Sequence, residues 1–241
     1  MRILVTNDDG IGASQLLPLV RWCQKLGDVT TVVPKVEQSG KSHGIEIHKP
    51  FEAKQVQLAP DVTAWAVDST PADCVRFAVL GLGLEFDLVI SGVNRGLNIG
   101  SDAMYSGTVG AACEAVNLGI QAIALSTSPK YYDNATTHLD WIFDYVQQHE
   151  LLTLNNIYNI NIPPEPKEIR ITRQGGPYYS DDFQPEDNDL YCPKGIPVYQ
   201  PSNCCFDTDT VLTNRQISVM PLTIQRVDLA VYDQLKSLNE G

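Results

Sequence analysis

The chain has 241 residues, 43% of them hydrophobic and 19% charged, with a net charge of −12. This composition supports one large packed α/β domain and excludes a disordered or low-complexity chain. The acidic balance argues against a nucleic-acid duplex as partner. No apolar run approaches the roughly 18 residues of a membrane span and no signal peptide is seen, so a soluble, cytoplasmic protein is expected.

Residues 3–6 are a predicted strand, followed by Asn7, the adjacent acids Asp8 and Asp9, and the glycines Gly10 and Gly12. In an open α/β sheet, ligands bind beyond the carboxyl ends of the strands. Successive side chains of a strand point to opposite faces, so both carboxylates reach one ion only if the strand ends by Asp8. Gly10 and Gly12 allow that sharp exit. One reading is a hard divalent cation held by carboxylates. The other is Asp9 as a helix cap with Asp8 solvated.

Residues 13–26 read as an amphipathic helix with Leu16, Leu17, Val20, Cys23 and Leu26 toward the core, and residues 29–33 as a strand stopped by Pro34. A polar loop follows, with Gln38, Ser39, Gly40, Lys41, Ser42 and His43 at the carboxyl end of a strand expected beside the first. The Ser39 hydroxyl could ligate a metal and the Gly40 amide could reach a phosphate, although Ser-Gly is also an ordinary turn. His43, His48, Lys41 and Arg95 are further polar candidates, each more commonly a structural or solvated residue.

Residues 45–47 and 62–67 read as short strands. Thr70 is placed to cap a helix with Pro71 at its first position and Asp73 in its first turn, ending near Leu82. Strands follow at 88–91, 122–126, 158–162 and 169–172, and helices at 107–118 and 134–149. The alternation argues for a doubly wound, mostly parallel sheet covered on both faces. Residues 175–203 are rich in Pro, Gly, Tyr and acids, which suits a projecting arm or long hairpin. The expectation is a single α/β domain over residues 1–241.

Gly92, Gly96 and Gly100 follow G-x-x-x-G-x-x-x-G, neither a dinucleotide fingerprint nor a phosphate-loop motif. A nicotinamide enzyme or ordinary NTPase is therefore a poor reading. Asn94 and Asn98 add oxygens suited to a hard cation, or amides suited to a phosphoryl group. A long turn would use the same residues. Next come Tyr105, Ser106, Gly107 and Thr108, which open a helix of small residues. A helix N-terminus is a natural anion site, and Ser106 also suits a plain N-cap. Tyr105, Tyr178, Tyr179 and Tyr191 could stack on a base, though packing is the more ordinary use. The six cysteines, at 23, 74, 113, 192, 204 and 205, contain no C-x-x-C pair, so reduced thiols are expected.

Asn7-Asp8-Asp9-Gly10, Ser39-Gly40, Asp73-Cys74-Val75, the run from Ser91 to Asn98, and Tyr105-Ser-Gly-Thr-Val109 together resemble the SurE family of survival proteins. The likeness continues through Asn159–Pro163, Thr172–Gly175, Gly195–Val198 and Ile217–Leu222 and so covers nearly the whole chain. The resemblance implies a SurE-like, Rossmann-like sheet with an oligomerisation arm within about residues 175–241. It implies a metal-dependent 5′-nucleotidase, acid-phosphatase-like, that hydrolyses nucleoside 5′- and 3′-monophosphates, with polyphosphate shortening in some members. One divalent cation per subunit, magnesium or manganese, would be held by Asp8, Asp9, Ser39 and Asn94.

On this reading Asp8, Asp9, Asn94 and Ser106 carry catalysis. Asn7, Gly40, Asn94, Asn98, Ser106, Gly107 and Thr108 line the phosphate. The expected partners are the nucleotide and further copies of the chain, as a homodimer or tetramer. A nucleotide-sugar transferase and a non-catalytic nucleotide or metal sensor are the rival classes.

Overall fold

Ile3 and Val5 face one apolar layer while Leu4 faces the other, all three fully buried. Burial on both faces is what a short continuous apolar run supplies to a central strand. The computed structural model describes residues 1–240, with side chains through Leu238; Gly241, the end of the expected arm region, lies outside the described residues.

In chain order the elements begin with β1 (Arg2–Thr6), α1 (Leu16–Cys23), β2 (Asp28–Pro34), β3 (Ala53–Ala59), β4 (Val62–Val67) and α2 (Pro71–Arg76). The middle of the chain forms β5 (Leu88–Arg95), α3 (Gly107–Asn117), β6 (Gln121–Thr127), α4 (Leu139–Gln148), α5 (Leu151–Leu154) and β7 (Ile157–Ile162). It ends in β8 (Ile169–Ile171), β9 (Tyr179–Pro185), β10 (Tyr191–Pro197), β11 (Ile217–Pro221) and α6 (Leu229–Leu235).

Nine strands form one sheet in the order β3-β4-β2-β1-β5-β6-β7-β11-β8, and β9 and β10 pair as a separate antiparallel hairpin. From β4 through β7 all pairs are parallel; β3–β4 and β7–β11 are antiparallel. Residues of α1 and α4 pack on one face, and those of α2 and α3 on the other. The sheet is thus doubly wound and mostly parallel, with a hairpin arm. No helix among the described residues is long and apolar enough to cross a membrane.

Several boundaries differ from expectation. The first helix spans only Leu16–Cys23. The expected 134–149 helix divides into a 3-10 segment, Pro129–His138, and α4. The Thr70 hydroxyl caps α2 by accepting from Asp73 N, and the helix leaves through a π-type turn, Phe77–Gly81. Residues 45–47 are not a strand: Ile45 and Ile47 are exposed, and Glu46 N donates to Asp73 Oδ2 at 2.8 Å. Asp73 thus replaces the ladder partner. β3 escaped notice because Lys54, Gln55 and Gln57 make it a polar edge strand. β5 continues past Ser91 to Arg95, with a register shift between Ser91 and Asn94 against β6, which sets Asn94 beside Ser126 at the carboxyl edge.

Two glycines of α3 decide how closely the site elements approach. Gly107 lies against Asp8, whose Cβ would stand 3.1 Å from an added methyl, and Gly110 lies under the Ser42 carbonyl. Gly110→Ala, favourable in an open helix, should therefore displace the loop and destabilise the fold by about 1–3 kcal/mol. Gly12→Ala, with nothing within 4 Å, should change stability by less than about 0.5 kcal/mol. Thermal unfolding of both variants reads the difference.

Candidate active site at the carboxyl ends of the strands

The chain leaves β1 at Thr6 and turns at once. Asn7 closes that turn with both ends of its amide: Gly10 N donates to Asn7 Oδ1 and Asn7 Nδ2 donates to Gly10 O, each at 3.1 Å. Gly10 has φ +85° and lies against the Val36–Glu37 backbone, a conformation and closeness that exclude a side chain. Ile11 N donates to Pro34 O at 2.8 Å and Gln38 N to Asp8 O at 2.7 Å. The loops after β1 and β2 are thereby laced together, and Ser39 comes to line the same cleft as Asp9.

Asp8 is 3% exposed. Thr108 holds it, donating its hydroxyl to Oδ1 at 2.6 Å and its backbone N–H to Oδ2 at 3.2 Å. Burial pushes the Asp8 carboxyl up to about 6 against the pull of the Thr108 hydrogen bond, and the neighbouring Asp9 charge adds to the rise. Asp9 is also raised, mainly by burial, while Arg95 N (3.0 Å) and the Tyr132 hydroxyl (3.3 Å) donate to its Oδ2. Among the described residues neither acid forms a salt bridge, and Asp9 Oδ1 has no hydrogen-bond partner.

Asp9 opens into a cleft of about 660 Å³ whose walls include Ser14, Glu37, Ser39, Arg95, Tyr132 and Asp133. The Ser39 hydroxyl donates to Glu37 at 2.7 Å. Giving its proton away leaves the oxygen lone pairs available to an electrophile. Gly40, at φ +72°, is exposed with open space around its α-carbon. Asn94 Nδ2 donates to Gly96 O at 2.9 Å, which leaves its Oδ1 as the acceptor end. Glu37, Tyr132 and Asp133 were not foreseen. Tyr132 and Asp133 arrive on the 3-10 segment, far along the chain and with no motif around them.

Other candidates take structural work. Asn98 is buried: its N–H donates to Asn161 Oδ1 (2.8 Å), its amide to Ser126 Oγ (2.8 Å), and its carbonyl accepts from Asn159 and Asn161. It pins the glycine loop to β6 and β7. Ser106 caps α3 by accepting from Val109 N at 3.2 Å, so its own proton stays free. Both Thr108 donors lie on Asp8. His43 packs away from the acids, its Nε2 2.6 Å from buried Glu114, which also takes Arg76 at 3.0 Å. Burial alone would raise the Glu114 carboxyl, and the hydrogen bonds from His43 and Arg76 outweigh it and hold it below its ordinary value.

Lys41 and His48 are exposed. Arg95 lines the cleft. Tyr105 and Tyr179 share a second cleft of about 340 Å³ with Asp102, Tyr178 packs edge-on against Tyr179, and Tyr191 is exposed on the hairpin.

The donor set suits a hard cation. Asp8 and Asp9 carry carboxylates without a salt bridge among the described residues, and Ser39 and Asn94 carry a hydroxyl and an amide oxygen, all hard ligand types. Of the four, Asp9 and Ser39 line the cleft. All six cysteines are free thiols, and Cys23 and Cys74 are held protonated by burial.

The model of the family "Survival protein SurE" matches residues 3–181. A protein named 5′-nucleotidase SurE from Petrotoga mobilis is 35% identical, covering 98% of each chain, and one from Thermosipho africanus is 34% identical, covering 100% of this chain and 97% of that one. The one from Acinetobacter baumannii (strain SDF) reaches 42% over 73% of this chain and 71% of its own. The crystal structure of the SurE protein from Aquifex aeolicus superposes with a TM-score of 0.77 at 29% identity, covering 99% of this chain and 100% of that one. The chain belongs to the SurE family.

Proposed function

We propose that the chain is a metal-dependent phosphomonoesterase that hydrolyses nucleoside monophosphates to nucleoside and phosphate. The observation that carries this reading is the pair Asp8 and Asp9: two adjacent carboxylates at a strand end, raised by burial and free of any salt bridge among the described residues. The relatives named 5′-nucleotidase support the substrate class. The 3′-monophosphate and polyphosphate activities belong to the same reading, as does a cytoplasmic setting, which free thiols suit.

Asp8, Asp9, Ser39 and Asn94 would hold one magnesium or manganese ion. When bound, such an ion supplies Lewis acidity toward a phosphoryl oxygen and the attacking water. Thr108 fixes the Asp8 carboxylate so that its oxygens need no reorientation as substrate enters. Asp9, with Oδ1 unpartnered, takes the proton of the water. The Ser106 hydroxyl and the Gly40 and Gly107 amides donate to the equatorial oxygens, where charge spreads in phosphoryl transfer. Asn7 and Asn98 act one step back, holding the turn and the loop that carry these groups.

Phosphate release from a nucleoside 5′- and 3′-monophosphate and polyphosphate panel should vanish after chelation and return with magnesium or manganese. No release under any metal, from folded protein, rejects the phosphatase reading.

Asp8→Asn should lower kcat by at least about 100-fold and weaken metal binding. It should also stabilise the metal-free protein. The folded Asp8 value, about 6, lies above its unfolded value of 3.8. Burying the group therefore costs stability progressively as pH rises from about 4 to about 6; the cost is in full force above about pH 6 and is relieved as pH falls. The gain, about 1–3 kcal/mol near pH 7.5, should shrink toward pH 4. Urea unfolding in chelator measures it; a variant no more stable than the parent at either pH rejects the account of the buried charge.

Assembly into a homodimer or tetramer belongs to the same proposal. Phe183, Leu190, Tyr191 and Ile196 of the hairpin and Leu229, Tyr232 and Leu235 of α6 are all exposed, apolar side chains that a second copy could cover. Light scattering should give a mass of two or four chains, and deleting the hairpin should reduce it.

A further inference from the structure

The segment joining Asn94 to Ser106 is gripped from outside the cleft. Gly100 lies midway along it and is held on three sides. Its N–H donates to Asp207 Oδ2 at 2.8 Å, its carbonyl accepts from Gln174 Nε2 at 3.1 Å, and its α-carbon, at φ +59°, lies against the Gly176 carbonyl with no room for a Cβ. Asp207 is fully buried, and its Oδ1 accepts from Gly175 N and Thr208 N, both at 2.8 Å. Two residues beyond Gly100 the grip is returned. The Asp102 carboxylate accepts from Tyr178 N at 3.0 Å and Tyr179 N at 2.8 Å, where the hairpin begins.

Asp207 is placed independently of the cleft. Arg173 N donates to Cys205 O and Asp207 N to Arg173 O, each at 3.0 Å, and the Arg173 guanidinium stands 4.6 Å over the Phe206 ring. The two strands of chain that enter and leave the hairpin are thus joined directly beneath it. Neither Asp102 nor Asp207 lines the acid cleft, and neither forms a salt bridge among the described residues. Their carboxylates are spent on backbone N–H groups of two different segments.

The glycine loop accordingly has two attachments. Asn98 ties it to the sheet through Asn159, Asn161 and Ser126, a rigid support. Gly100 and Asp102 tie it to the hairpin root, outside the sheet.

We propose that Asp207 and Asp102 form a latch through which the hairpin root positions the segment from Asn94 to Ser106, making Asp207 a positioning residue for metal and phosphate binding. The proposal rests on the metal and phosphate reading of the cleft given above. Because coupling between two sites is reciprocal, a filled cleft also steadies the hairpin root.

Asp207→Asn is the primary test. An amide cannot accept at both oxygen positions, so one of the two grips is lost. Gln174→Ala releases the Gly100 carbonyl alone and, being an exposed side chain, carries the test if the first variant does not fold. Three measurements are made: hydrogen exchange by peptide, Mn2+ affinity by calorimetry, and steady-state hydrolysis of AMP.

Both variants should exchange faster over residues 96–106 and bind Mn2+ several-fold more weakly. KM for AMP should rise about tenfold, with a smaller change in kcat, as expected when an outer support of a ligand set is removed. In the parent protein, Mn2+ with inorganic phosphate should slow exchange over residues 176–182, and Asp207→Asn should abolish that protection. Faster exchange confined to residues 173–209, with parental Mn2+ affinity and KM, overturns the proposal. A parent protein that neither binds Mn2+ nor hydrolyses AMP overturns the reading of the cleft instead, and exchange over residues 96–106 still decides the latch.

Discussion

A carboxylate sealed under the first turn of a helix is the constraint around which this protein is built. Asp8 is nearly inaccessible, and among the described residues its carboxylate accepts hydrogen bonds from Thr108 alone. Ionised, it must be stabilised by the free N–H groups and positive end of α3, which favour an anion there. That support is incomplete, since the carboxyl still sits at about 6. A group so placed lowers the stability of the fold, and on the proposed reading a bound cation would restore it, setting stability against function at one residue.

The surroundings of Asp8 follow from that requirement. α3 can approach only because Gly107 has no side chain, and the loop after β2 can cover α3 only because Gly110 has none. The same loop is bound to Asp8 O by Gln38 N and is braced at its far side by His43 on Glu114 and Glu46 on Asp73. Acids, loop and helix therefore form one unit whose parts come from residues 7–10, 36–46 and 106–114. None of the three could be shifted without opening the others.

The sequence made the sheet and the acid pair readable because both are local. A short run, Ile3-Leu4-Val5-Thr6, leading into Asn-Asp-Asp-Gly is sufficient to place a strand end, and Thr70-Pro71 is sufficient to start a helix. What escaped was decided by tertiary contact. Ile45-Glu46-Ile47 alternates like a strand, yet its backbone is satisfied by one buried aspartate. β3 is polar because an edge needs no second apolar face. Tyr132 reaches Asp9 from a segment that carries no motif. Asn7, Asn98 and Thr108 illustrate a further limit: residue type marked them as polar and important, but only the hydrogen bonds show that they hold other groups instead of facing the cleft.

The hairpin that springs from the latch exposes Phe183, Leu190 and Ile196 to solvent and would be hazardous if its edges were free to recruit other strands. Pro185 ends β9, Pro193 stands within β10 and Pro197 ends it, while Asp181, Asp182 and Lys194 put charge along both strands. Proline offers no N–H and charged side chains repel a growing ladder. Any association through this arm would thereby rely on side chains meeting a shaped surface, and the open-ended stacking of backbone on backbone that leads to aggregates is opposed where the apolar residues are most exposed.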